Sequence, residues 1–98
     1  MEPNGTRDLP AIQAVTAIGI GEVSITFRLS AVSEVRLRVF DATGRLVKGM
    51  SSGTLPAGEH NLKWNGISDA GKPAGQGVYF YSLDAGKANF AGRWILLR

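Results

Sequence analysis

Apolar and polar residues alternate without a break over Val23-Ser24-Ile25-Thr26-Phe27-Arg28-Leu29. A period of two places Val23, Ile25, Phe27 and Leu29 on one face and Ser24, Thr26 and Arg28 on the other, which predicts a half-buried strand. Val35-Arg36-Leu37-Arg38-Val39-Phe40 repeats the pattern with Arg36 and Arg38 outward. Asp41-Ala42-Thr43-Gly44 then predicts a turn, since Asp in its first position bonds the backbone ahead and Gly in its last eases the exit. Arg45-Leu46-Val47-Lys48 returns as a short strand, completing a hairpin, and Met50 to Pro56 reads as a loop.

Gly58-Glu59-His60-Asn61-Leu62-Lys63-Trp64 resumes the alternation, with His60, Leu62 and Trp64 sharing a face. Asn65 to Gly77 is the longest irregular stretch, and Asp69-Ala70-Gly71-Lys72 reads as a tight turn inside it. Val78-Tyr79-Phe80-Tyr81-Ser82-Leu83 is aromatic and β-branched, a strong strand signal. Being apolar on both faces, it predicts a central strand covered on both sides, or one whose tyrosine hydroxyls reach out. Ala85-Gly86-Lys87 turns the chain, and Phe90 to Leu97 closes the fold, with Gly92 a candidate bulge. Ile12 to Ile20 predicts a first strand in preference to a short helix over 11–17, because Val15, Thr16 and Ile18 are β-branched.

About seven short strands separated by turn signals predict an all-β, immunoglobulin-like (fibronectin type III-like) antiparallel β-sandwich over residues 11–98. A polar linker or leader occupies residues 1–10. At 98 residues, 44% of them hydrophobic and 19% charged, the chain has material for one two-layer core and little for an enclosed cavity besides. Met1-Glu2-Pro3-Asn4 lacks the basic start and apolar core of a secretory signal. No apolar run nears the roughly 20 residues of a membrane-spanning helix. A net charge of +3 without a dense basic cluster argues against a nucleic-acid partner.

With one histidine and no cysteine, the residues offer no Cys–His or zinc cluster. His60 reads as a strand residue near the sheet rim, and no serine sits in a Gly-x-Ser-x-Gly elbow. The carboxylates are scattered, with Asp41, Asp69 and Asp84 near glycines at turns. Asn65 and Asp69 with loop carbonyls make a weak calcium set, since one carboxylate and no EF-hand spacing hold the ion poorly. Gly71, Gly75 and Gly77 lack the Gly-Lys-Ser/Thr ending of a phosphate loop. Arg28, Arg36 and Arg38 would form a basic stripe if their strands shared a sheet, and otherwise a solvated face. Trp64, Tyr79, Tyr81 and Trp94 suit a core better than a sugar-stacking platform. No enzyme, cofactor or metal is expected.

The runs Val35–Lys48, Pro56–His60, Trp64-Asn65-Gly66, Asp69-Ala70-Gly71-Lys72 and Gly77–Leu83, in that order, resemble the immunoglobulin-like domain of flagellar hook-capping proteins. They are equally similar to C-terminal modules of large secreted bacterial proteins read as sorting signals by the type IX secretion system of the Bacteroidetes and relatives. The ending Arg93-Trp94-Ile95-Leu96-Leu97-Arg98 has the form of a basic residue, an apolar strand and a terminal basic residue. The resemblance covers roughly residues 22 to 98, and Ile18-Gly-Ile-Gly-Glu22 departs from it in lacking an Asn-Pro pair. It implies structural roles for Asp41, Gly44, Arg45, Gly58, Trp64, Gly66, Asp69, Gly71, Gly77, Tyr79 and Tyr81, and an export-recognition role for the strand Arg93–Arg98.

The resemblance also implies a non-catalytic C-terminal accessory module of a larger exported protein, a sorting or anchoring signal at the exterior or surface of a Gram-negative bacterium. Its partners would be the upstream domains of the parent protein and an outer-membrane export machine. A chain that stops at Arg98, directly after its last strand, is expected to end where its parent ends. The alternatives are an interaction domain of a hook-cap type assembly, and a carbohydrate-binding module using exposed Trp94 or Tyr81 on a polysaccharide.

Overall fold

The alternating segments pair into two sheets whose apolar faces meet. The computed structural model describes residues 12–16 and 19–98. In chain order its strands are β1 (Ile12–Thr16), β2 (Gly19–Ile20), β3 (Val23–Leu29), β4 (Ser33–Phe40), β5 (Leu46–Leu55), β6 (Gly58–Trp64), β7 (Gly77–Ala85) and β8 (Ala88–Leu97). One sheet has the order β1-β3-β6, the other β2-β8-β7-β4-β5. This is the expected immunoglobulin-like sandwich, with the two-residue β2 added to seven longer strands.

Four differences from the sequence expectations have physical reasons. The predicted first strand divides: β1 pairs antiparallel with β3, whereas β2 pairs parallel with the end of β8, so the sandwich is not wholly antiparallel. The stretch 50–55, expected as loop, is the second half of β5. It pairs with β4 from Leu46 to Leu55 across two register shifts, which accommodate the glycine- and serine-rich sequence. Gly92 is no bulge, because β7 and β8 keep continuous register from Gly77↔Leu96 to Ala85↔Ala88. The tight turn begins one residue early, with the Gly71 N–H bonded to the Ser68 carbonyl at 2.9 Å. The expected linker over 1–10 lies outside the described residues.

The alternation read from sequence becomes the core directly. Val23, Ile25, Phe27 and Leu29 of β3 face Val35, Leu37 and Val39 of β4 and Tyr79, Tyr81, Leu83 and Ala85 of β7, all buried. Full burial of each aliphatic or Phe side chain contributes roughly 1.5–3 kcal/mol, so β3 and β4 anchor their sheets. A line of rings crosses the sandwich. Tyr79 meets Trp64 edge-on at 5.2 Å, Trp64 stacks on Trp94 at 6.3 Å, and Tyr81 tilts against Trp94 at 4.7 Å. Trp94 and Tyr81 are 1% and 2% exposed. That removes the sugar-stacking platform considered for those two rings.

The arginine stripe is also divided. Arg28 lies in the three-stranded sheet opposite Glu59, while Arg36 and Arg38 lie in the other. No helix among the described residues is long and apolar enough to cross a membrane.

Candidate functional site

Trp64, Gly66, Asp69, Gly71, Gly77 and Tyr79 of the motif meet in the loop 65–77 and its contacts with two strand ends. Trp64 fills the core, and its Nε1–H donates to the Ile67 carbonyl at 2.9 Å, turning the loop back over the ring. Asn65 Oδ1 accepts the Ile67 N–H at 3.0 Å, an Asx turn. Gly66 between them is buried with φ +78°, a conformation L side chains rarely adopt. Its carbonyl accepts the Ala74 N–H at 2.7 Å, closing the loop's neck.

The residue directly after β8 completes this neck. Arg98 donates from Nη2 to the Gly66 carbonyl at 3.0 Å and to the Ala74 carbonyl at 2.7 Å, and from Nε to Ala74 at 3.0 Å. Its backbone N–H reaches Gln76 Oε1 at 3.2 Å. A planar guanidinium suits this grip, since its donors lie in one fork. A Cβ on Gly66 would stand 2.8 Å from Arg98 Nη2 and 3.1 Å from the Gly21 carbonyl. Gln76 and Ala74 carry no sequence signal for this role.

Asp69 reaches the other way, to the outer edge of β5. Its Oδ2 accepts the Gly49 N–H at 3.0 Å, its Oδ1 meets Lys48 Nζ at 3.3 Å, and its own N–H donates to the Val47 carbonyl at 2.9 Å. The loop thus occupies an edge that would otherwise offer free backbone groups to another strand. Asn65 and Asp69, weighed for calcium, are engaged separately in these bonds. Among the described residues no three His, Asp or Glu side chains gather at metal-binding spacing.

Asp41 organises the β4–β5 turn. Its Oδ1 accepts from the Thr43 hydroxyl at 2.6 Å, the Thr43 N–H at 2.9 Å and the Arg45 N–H at 3.0 Å, while Oδ2 meets Arg45 Nε at 3.1 Å. The Thr43 hydroxyl first, then the Arg45 N–H, hold this carboxyl well below the usual carboxylate range. Gly44 and Gly71 take positive φ in their turns, as do Gly58 and Gly77 where their strands begin. A groove of about 580 Å³ between this turn and the loop is lined by Asp41, Arg45, Ser68, Asp69 and Lys72. Asp41 pairs with Arg45 and Asp69 with Lys48, so its acids are already matched.

His60, the lone histidine, contacts the Pro56 carbonyl through Nε2 at 2.7 Å and tilts against Phe27 at 5.7 Å, which fixes a strand entry. Tyr79 donates its hydroxyl to the Gly75 carbonyl at 2.6 Å. The predicted recognition strand is divided by its own alternation. Trp94 and Leu96 are core and Arg98 is bound to the loop, so Arg93, Ile95 and Leu97 are the outward residues.

The outer face of β7 is open to solvent, with Phe80 43% exposed, which corrects the expectation of cover on both sides. Along the five-stranded sheet this face has two halves. One is polar: Arg38 bonds Asp84 at 3.1 Å, and Asn89 bonds Ser82 at 2.7 Å and Asp84. The other carries Phe40, Val78, Phe80, Ile95 and Leu97, with Arg93 at its β8 margin.

An immunoglobulin-like sandwich whose polar residues tie turns and a terminal strand to its frame defines the class: a β-sandwich scaffold. The chain belongs to the FlgD Ig-like domain family, whose sequence profile matches residues 13–89. It is similar to two solved structures. The crystal structure of FLGD from P. aeruginosa aligns with a TM-score of 0.63 and 22% identity, over 74% of this chain and 58% of that one. That of dimeric latent PorU from Porphyromonas gingivalis aligns with a TM-score of 0.67 and 17% identity, over 88% of this chain and 9% of that one. At these identities the likeness is one of fold, and the chain spans only part of either protein. Comparison with curated proteins gives no match.

Proposed function

We propose that the chain is a non-catalytic recognition module of a larger exported bacterial protein, its terminal strand serving as a sorting or anchoring signal for an outer-membrane export machine at the cell exterior. One observation carries this. The strand Arg93–Arg98 is pinned at its end by Arg98 yet presents Arg93, Ile95 and Leu97 outward, Ile95 being 40% exposed. A fixed, partly apolar strand face costs a partner little ordering entropy on docking. The polar residues that sequence singles out are spent on loops and edges, which supports a scaffold over an enzyme.

The test is export of a reporter fused ahead of the chain in a bacterium with type IX secretion. Replacing Arg93, Ile95 and Leu97 with serine leaves the core untouched and is expected to retain the reporter in the cell, as is deletion of Arg93–Arg98. Normal export of the folded triple variant would overturn the proposal.

Membership of the FlgD Ig-like family favours a second reading, an interaction domain in a hook-cap type assembly. Incorporation of the tagged domain into isolated hook structures, with export unaffected by the triple variant, would select it.

A further inference from the structure

The apolar half of the outer face forms a diagonal strip. Register sets Leu46, Phe40, Phe80 and Arg93 in one row across β5, β4, β7 and β8, with Val78 beside Ile95 in the next and Leu97 beyond. Strand spacing of about 4.8 Å and a rise of about 3.3 Å per residue make the strip roughly 20 Å long and 10 Å across. Those are the dimensions of a helix of about 13 residues. A second sheet would need a broader apolar face.

Charge narrows the occupant further. Arg93 ends the Phe80 row on β8, at the margin of the strip, with no carboxylate within ion-pair distance among the described residues. Arg38, two strands away on β4, is matched to Asp84 and leans over Phe40 at 5.9 Å. The strip itself carries no acid. A second copy docked face to face would therefore oppose arginine to arginine or to hydrocarbon, with nothing to pair it. A guanidinium at the margin of an apolar surface, with no carboxylate beside it among the described residues, suits a carboxylate from outside.

We propose that this strip docks an amphipathic helix of a protein partner, apolar along one stripe and bearing an acidic residue that meets Arg93. This rests on the recognition reading above only for the existence of a protein partner, and names that partner's chemistry. Ridges of a helix settle between Phe80, Val78 and Ile95 as they do in helix-in-groove recognition.

Two synthetic helical peptides of about 14 residues, alike but for Glu or Lys beside the apolar stripe, test the proposal against the full isotope-labelled chain by NMR titration. The Glu peptide is expected to shift the amides of Val78, Phe80, Arg93 and Ile95, and to bind about tenfold more tightly than the Lys peptide. Arg93→Glu should invert that order, and Phe80→Ser should abolish binding while leaving the core fold unchanged by circular dichroism. Equal binding of both peptides, shifts confined to the three-stranded sheet, or no binding would overturn it. Shifts of the same amides on concentrating the chain alone would assign the face to a second copy and overturn it too. No step involves export, so this proposal and the sorting signal can fail separately.

Discussion

Tyr81 lies flat against Gly92 across the β7–β8 pair. A Cβ on Gly92 would stand 2.6 Å from the Tyr81 hydroxyl oxygen and 2.8 Å from Cζ. The ring covers the place where a side chain would be, and from there it reaches Trp94. Gly92→Ala is therefore expected to destabilise the fold by about 1–3 kcal/mol through overpacking. Gly75 has open space around it, so Gly75→Ala should leave the urea midpoint unchanged or slightly raised. Equal midpoints for Gly92→Ala and wild type would refute the contact.

Removing the Arg98 fork frees two carbonyls at the neck of the loop 65–77. Arg98→Ala is expected to cost about 1 kcal/mol, because the lost charge-assisted bonds are partly replaced by water. The more telling measurement is amide exchange, which should quicken at Ala74, whose N–H closes the neck, and stay unchanged at Leu37 in the core. Lysine cannot fork between Gly66 and Ala74, so Arg98→Lys should restore less than half of the protection.

Asp69 shields the β5 edge. Asp69→Ala should cost about 1 kcal/mol and raise light scattering during refolding, since the Gly49 N–H loses its acceptor and becomes available to another chain. Asp69→Asn keeps an acceptor for the Gly49 N–H and should scatter less than the alanine variant. Identical scattering by all three proteins would remove the edge-shielding role.

The Asp41 carboxyl has its pKa lowered by folding, so the sign of its pH effect is fixed. Its stabilisation is complete above the ordinary carboxylate pKa, about 3.9, and is lost as pH falls through the lower native value. Wild type should melt above Asp41→Asn at pH 6, with the gap narrowing as the pH drops below about 4. A gap that widened in acid would contradict the turn geometry.

Much of the frame is legible in sequence because β3 and β4 each bury one face, and an unbroken period of two suits a strand and no helix. Met50 to Leu55 is not. Its two serines and Gly53 have little strand preference of their own, and the segment is extended because β4 needs a partner on that side. Gly92 is conspicuous but ambiguous: a glycine in a strand marks either a bulge or a close approach, and only the Tyr81 rotamer separates them. Asp69 and Arg98 stand out by type, but their partners lie 20 residues away at Gly49 and 32 at Gly66, beyond any local pattern. The outward half of the terminal strand can be read from alternation, whereas the neck that holds it cannot.

The parallel pairing of Gly19–Ile20 with Leu96–Leu97 has a mechanical consequence. Both segments run the same way, and the Gly21 N–H bonds the Leu97 carbonyl at 2.7 Å. Tension drawn through the chain ahead of β2 and beyond β8 pulls them in opposite directions along their own axes. Their hydrogen bonds are then sheared together instead of being unzipped one at a time. Strung between a tethered neighbour and a partner gripping its last strand, the domain would meet an extending force at this seam in shear.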